Sequence, residues 1–329
     1  MLKMSTKLIR HALSGATMGA RWQALFHMPQ GFDPAPLAVA LQTAVADVDA
    51  QMSTWRPDSA LMLLNAAPPE VWQPLPARLM LVLQTALAIG QASGGAFDIG
   101  VGDAVTAWGF GAAQVNETAI RAALARRRRP AQDVVELDSA NLRARKHGPI
   151  SLDLSGIAKG YGVDRLVEVA AGFGVTGGLF AIDGELRAVG LQPDGTPWTV
   201  AIERPDHHIR AAHAILALQD AAVATSGDYR HWISAGAKRL SHTIDPARGG
   251  PLARSPASVT VIAATCMAAD AWATALMVTG STDGAALARK HNLDVLFLER
   301  DGNDLRETRA GQMFETRSPQ ISCAMQPSE

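Results

Sequence analysis

Aromatic residues make up only 5% of the 329-residue chain, as 7 Trp, 8 Phe and 2 Tyr, so its core has to be aliphatic and Ala-rich. Cysteine is nearly absent: Cys266 and Cys323 allow one disulfide at most, and the Cys/His spacings of a zinc site are lacking. With no export signal recognised, both read as thiols. Neither sign of charge is in excess, since Lys+Arg 30 against Asp+Glu 31 gives a net charge of −1. That excludes the broad basic surface needed to bind a phosphate backbone, and with it nucleic acid as the main partner. No run approaches the roughly 18 apolar residues of a transmembrane helix. Met1 to Arg10 carries charges but no apolar h-region, and no cleavage-like site precedes Met18. The expected location is therefore the cytoplasm for the sequence as written, or the periplasm if the true start lies upstream. Low-complexity linkers and repeats at solenoid periods are missing as well.

What is present is a globular composition, 48% hydrophobic and 19% charged. At roughly 150 residues per domain the length suits two domains or one large one. Leu37, Leu41, Val45 and Val48 share one face of a helix that follows Pro36. A second apolar helix is predicted over 76–91, with Gly94-Gly95 just past its end, and a third over 157–171. A fourth begins near Glu117, and Arg126 to Arg129 form its solvated, dipole-favoured C-terminus before Pro130 stops it. Asp183-Gly184 separates Leu179–Ile182 from Glu185–Val189 as a tight turn between strands, and Asp301-Gly302 does the same after Leu293–Arg300. Hairpins imply antiparallel pairing, so the expected class is α+β, with helices covering antiparallel sheets.

Several polar segments could carry chemistry. Val259, Val261 and Ala263 alternate as in a half-buried strand, and a helix follows from about Met267. On it Asp270 and Thr274 are four apart and project from one face. A carboxylate and a hydroxyl so placed suit Mg²⁺; equally, Asp270 complements a helix dipole and Thr274 bonds back within its helix. His242 and Asp245, three apart before Gly249-Gly250-Pro251, present a titratable pair on a loop or a structural histidine beside a turn. Asp153 and Ser155 are N-cap candidates for the third helix, whose start, with Gly156 and Lys159, resembles a generic anion site. Ser93 to Asp98 reads as a helix C-cap followed by a turn and then a strand. Thr225 to Tyr229 reads as a polar loop after a strand ending near Ala224.

Taken in order, these segments resemble the ApbE family, the FAD:protein FMN transferases, over nearly the whole chain. The resemblance runs from Met18-Gly19, placed in the first strand, through Met52 to Ser59, Leu64-Asn65, Gly94 to Asp98 and Trp108 to Gly111. It continues with Asp153 to Gly160, Asp183 to Arg187, Ala224 to Tyr229, His242 to Pro246 and Ala269 to Leu276. It implies a T-fold-like, two-lobed α+β architecture: one domain over 1–329, its lobes dividing near residue 150. It also implies a Mg²⁺-dependent transferase that moves the FMN half of FAD onto a Ser or Thr of an acceptor flavoprotein, releasing AMP. By position, Met18, Trp55, Ala96, Phe97, Asp98, Asp153, Lys159 and Ile244 would contact FAD. Asp270, Thr274 and the Gly156 carbonyl would hold the metal, and His242 would be the base, with Asp245 orienting it. A metal-dependent FAD pyrophosphatase and a flavin binder without turnover are the competing readings. Three features depart from the family pattern: Trp55 stands where members often have Tyr, Ala273 where some have a second acid, and the export lipobox common in the family is lacking.

Overall fold

A computed structural model describes residues 7–315 except 207, 208, 230, 231, 236, 237 and 303; Cys323 and Met1–Thr6 lie outside the described residues. Strands β1 (Leu8–Thr17) and β2 (Ala20–Pro29) pair in register, with Thr17 opposite Ala20. Met18 and Gly19 therefore form the turn between them and are not in the strand as expected. Both have positive φ, 45° and 71°, the backbone that a two-residue I′ hairpin requires. Left-handed backbone at a non-glycine costs energy and here fixes where the Met18 side chain points.

Helix α1 (Ala35–Met52) has Pro at its first turn and buries the expected face completely. Helices α2 (Ala60–Ala66), capped by the Ser59 hydroxyl, and α3 (Ala77–Ala92) follow. Asp98 opens a short 3₁₀ turn and then α4 (Gly102–Ala107), where a strand was expected. Helix α5 (Glu117–Ala125) ends before the arginine run. The run is not a solvated helix end: Arg126 and Arg128 both grip Asp103, and the Arg128 side chain is 10% exposed. A small sheet comprises β3 (Gln73–Pro74), β4 (Val135–Asp138) and β5 (Arg143–Lys146).

The second half of the chain supplies α6 (Ala158–Gly172) and the expected hairpin, β6 (Gly178–Ile182) and β7 (Glu185–Val189). A separate ribbon, β8 (Trp198–Glu203) with β9 (Ala212–Leu218), precedes β10 (Ala221–Gly227). The short pairs β11 (Trp232–Ala235) with β12 (Lys238–Ser241), and β13 (Ile244–Asp245) with β14 (Gly250–Pro251), lead to β15 (Ser258–Ala263). Helices α7 (Cys266–Thr279) and α8 (Ser281–Lys290), the hairpin β16 (Asp294–Asp301) with β17 (Asp304–Ala310), and α9 (Gln312–Glu315) complete the order. None of the described helices is long and apolar enough to cross a membrane.

Eight strands form one antiparallel sheet in the order β1-β2-β6-β7-β10-β15-β16-β17. Its faces follow from strand alternation. Phe26, Phe180 and Ile182 pack on α1 and α6, and Val259, Val261 and Phe297 pack among residues of α7 and α8. On the other face Ala188, Val223, Ile262 and Leu296 meet Val200, Ile202 and Leu216 of the β8–β9 ribbon. Both faces are covered, so β15 is buried on both and not half-buried as its alternation suggested. The largest core cluster joins Leu79 and Leu83 of α3 to Leu276 and Phe297, drawing on both sides of residue 150.

Helices α6 and α7 cross in direct contact at Gly160, where a Cβ would lie 2.3 Å from the Cys266 carbonyl oxygen and 2.8 Å from the Asp270 Cβ. Backbone cannot yield there as a flexible side chain would. Gly160→Ala is therefore expected to lower unfolding stability in urea by about 1–3 kcal/mol, the usual range for overpacking; an unchanged midpoint would show that the crossing has slack.

Candidate active site

The main sheet opens at one end. Strands β7 and β10 pair only as far as Leu186 opposite Val223, whereas β10 stays paired with β15 out to Gly227. Thr225 to Gly227 are therefore strand and not the expected loop. Between the parted strands lies a cleft of about 1310 Å³, above the roughly 300–1,000 Å³ usual for small-ligand pockets. Met18, Trp55, Ala96, Phe97, Asp98, Asp153, Gly156, Lys159, His242, Ile244, Asp270 and Thr274 all line it. Asp245 is not among the lining residues: its Oδ1 accepts from the Ala247 N–H at 3.0 Å, so its carboxylate shapes the turn into β14.

At the floor, the α6–α7 crossing brings the Asp270 and Thr274 side chains up to the start of α6. The Gly160 N–H donates to Asp270 Oδ2 at 3.0 Å. One turn along α7, Thr274 Oγ1 lies 2.9 Å from where a Gly156 Cβ would be, and 3.5 Å from Ser226 Oγ. Burial pushes the Asp270 carboxyl above its ordinary pKa, and the nearby Lys159 charge opposes that rise. Ala273 is fully buried and donates nothing. Among the described residues no group of three or more His, Cys, Asp or Glu could hold a metal. A cation here would rest on one carboxylate, one hydroxyl and one carbonyl. That hard-oxygen set fits Mg²⁺, which keeps waters and takes substrate phosphates.

Beside these oxygens the Lys159 ammonium donates to Glu185 Oε1 at 2.8 Å, with Asp183 at 3.9 Å. Burial disfavours the Lys159 charge, but Glu185, Asp270 and Asp183 outweigh it and hold its pKa above the usual lysine value. Burial pushes Glu185 up to about 7 against the pull of Lys159. Its Oε2 is buried without a hydrogen-bond partner, the costly state for such a group unless a ligand meets it. Sequence reasoning gave Glu185 no role; a buried acid opening a strand after Asp-Gly was the available signal. Ser226 was also assigned none.

The other wall is built by loops with internal braces. Ser93 Oγ accepts from the Phe97 N–H at 3.0 Å, while Gly94 and Gly95 turn the chain at φ 64° and 86°. Asp98 Oδ1 takes the N–H groups of Gly100 and Ala131 at 2.7 and 3.1 Å, and burial raises its pKa. Asp153 does not cap α6. Its Oδ1 accepts from the Ser155 N–H at 2.8 Å, its buried Oδ2 has no partner, and burial raises its pKa. The His242 ring meets the Phe110 ring edge-on at 6.4 Å. Trp55, 65% exposed, leaves an indole face at the rim on which a flat heterocycle can stack.

This geometry accompanies a clear set of similarities. The model of the ApbE family matches residues 18–297. The FAD:protein FMN transferase of Vibrio cholerae is 33% identical over 297 residues, 90% of this chain and 89% of that protein. The protein of the same description from Escherichia coli K12 is 32% identical over 299 residues, 89% and 85% of the two chains. The solved structure of flavin transferase ApbE from Vibrio cholerae superposes with a TM-score of 0.82 at 32% identity, covering 92% of this chain and 98% of that one. The apo flavinyl transferase ApbE of Pseudomonas stutzeri gives 0.81 at 32% identity, with 92% and 95% covered.

Asn65 ties the wall together. Its side chain accepts from the Leu152 N–H at 2.7 Å and donates to the Leu152 carbonyl at 2.8 Å, next to Asp153. Asn65→Leu strands both buried backbone groups, and stability is expected to fall by about 1–3 kcal/mol in chemical denaturation. A wild-type denaturation curve would mean that water replaces the amide.

Proposed function

The chain belongs to the ApbE family, and on that premise we propose how its cleft transfers the FMN half of FAD to a Ser or Thr hydroxyl of an acceptor flavoprotein. The observation that carries the reading is that Asp270, Thr274, Gly156, Lys159 and His242 all line one cleft. FAD lies along the cleft, with Trp55 stacking on one ring system and Met18, Ala96, Phe97, Asp98, Asp153 and Ile244 forming the walls. Its diphosphate lies over the start of α6, where the Lys159 ammonium and the positive end of the helix dipole offset its charge. Asp270, Thr274 and the Gly156 carbonyl are the proposed ligands of Mg²⁺, which supplies Lewis-acid neutralisation of the diphosphate when bound.

The reaction is then a phosphoryl displacement. The acceptor oxygen forms a bond to the phosphorus on the FMN side, and the bond from that phosphorus to the AMP oxygen breaks. A serine or threonine hydroxyl is a weak nucleophile at neutral pH, and His242 takes its proton as the bond forms. Positioning and charge neutralisation provide most of the acceleration in such reactions. The buried floor keeps bulk water from the same electrophile.

Two substitutions test the roles separately. With FAD, Mg²⁺ and an acceptor domain, Asp270→Ala is expected to abolish the acceptor mass gain and AMP release while FAD binding stays within a few-fold of wild type. Equal loss of FAD binding and turnover would count against metal ligation. His242→Ala is expected to lower the transfer rate about 10²–10⁴-fold, the usual weight of a general base, with Mn²⁺ affinity unchanged. Free FMN appearing without adduct in the wild-type reaction would favour hydrolysis over transfer.

A further inference from the structure

Asp164 lies on α6, away from the cleft lining, and its carboxylate is 13% exposed. Both of its oxygens are committed to other elements. Oδ1 accepts from the Cys266 N–H at 3.0 Å and Oδ2 from the Met267 N–H at 2.9 Å. These are the first two amides of α7, which have no carbonyl partner within their own helix. Arg187 of β7 donates to Oδ1 at 2.6 Å and braces the carboxylate from the third side. Thr265 already caps α7, its Oγ1 accepting from the Ala268 N–H at 3.3 Å, so the helix does not need Asp164 merely to begin.

What Asp164 adds is registry between elements. Asp270 stands one turn beyond Cys266 on the same face of α7, and Thr274 one turn further. Arg187 shares its face of β7 with Glu185. Gly156 and Lys159 lie at the start of α6 itself. One carboxylate therefore joins the three segments that bear the floor of the site. The contact at Gly160 sets how closely the two helices approach, since the backbones already touch, but it does not fix where α7 stands along its own axis. A shift of α7 along its axis would separate Asp270 and Thr274 from Gly156 together.

We propose that Asp164 is a positioning residue for the cation site: through the Cys266 and Met267 amides it sets the height of α7 against α6, and with it the places of Asp270 and Thr274 beside the start of α6. The inference rests on the reading of those three as metal ligands. Partners behind a ligand shell commonly govern affinity by 10–100-fold, and a helix-wide registry contact belongs among them.

The test uses the full chain with Asp164→Asn, which keeps the volume but offers one acceptor where two amides need one each. The amide also turns an N–H toward one of those donors. Mn²⁺ binding without FAD, followed by electron paramagnetic resonance, is expected to weaken by at least about tenfold. The Mg²⁺ concentration for half-maximal transfer is expected to rise by a similar factor, with kcat at saturating Mg²⁺ and FAD affinity near wild type. Arg187→Met, which keeps both amide bonds but loosens the carboxylate, is expected to act in the same direction to a lesser degree, and it decides the matter if Asp164→Asn does not fold. Wild-type Mn²⁺ affinity in the folded variant, or a fall in kcat that added Mg²⁺ does not restore, overturns the proposal. Asp270→Ala in the same binding assay separates the two levels. If it leaves Mn²⁺ affinity unchanged, the ligand reading has failed and not the registry argument.

Discussion

Asp270 and the Gly160 amide, 3.0 Å apart across the α6–α7 crossing, form the contact on which the geometry of the site turns. A glycine at the crossing allows the helices to touch backbone to backbone, and only then does a carboxylate on one reach the first turn of the other. The remaining features follow from that closeness. Thr274 comes up beside Gly156, Ser226 at the lip of the parted sheet comes within 3.5 Å of Thr274, and Lys159 is brought against buried acids.

The same closeness sets the electrostatics. Asp270, Glu185 and Asp153 are buried acids whose pKa values burial raises, and two of them keep an oxygen without a partner. A protein seldom leaves such groups unmet unless something else completes them. A cleft floored with acids and one fixed ammonium is poorly suited to a bare anion. It suits an anion that arrives with its own divalent cation, because the cation answers the carboxylates while lysine answers the phosphate. On the proposed reading, the metal and the dinucleotide answer the site as a pair, more than either does alone.

The fold was legible where local chemistry decides it. Asp183-Gly184 forms the turn of its hairpin, the hairpin expected at Asp301-Gly302 is present with Asp301 itself paired opposite Asp304, and the spacing of Leu37 to Val48 marked a buried helix face. It was less legible where the surroundings decide. The second face of β15 is buried by a ribbon some 50 residues earlier in the chain, which alternation within β15 cannot report. The arginine run looked like a solvated helix end because Asp103, its partner, lies in a helix that was read as a strand. In the site, Asp270 and Thr274 were visible because helical periodicity places them together. Glu185, Asn65 and Asp164 were given no role because their partners lie 26, 87 and 102 residues away. Sequence spacing carries contacts within an element, whereas long-range pairing appears only after folding.

The central claim is that one oxygen trio at the helix crossing grips a divalent cation. Crystals grown with FAD and Mn²⁺ in place of Mg²⁺, measured at the manganese absorption edge, test it most directly. The account predicts an anomalous peak about 2 Å from the Asp270 carboxylate, Thr274 Oγ1 and the Gly156 carbonyl, bridging to the FAD diphosphate. A manganese peak elsewhere in the cleft, or an ordered FAD diphosphate over α6 with no manganese at the trio, would contradict it.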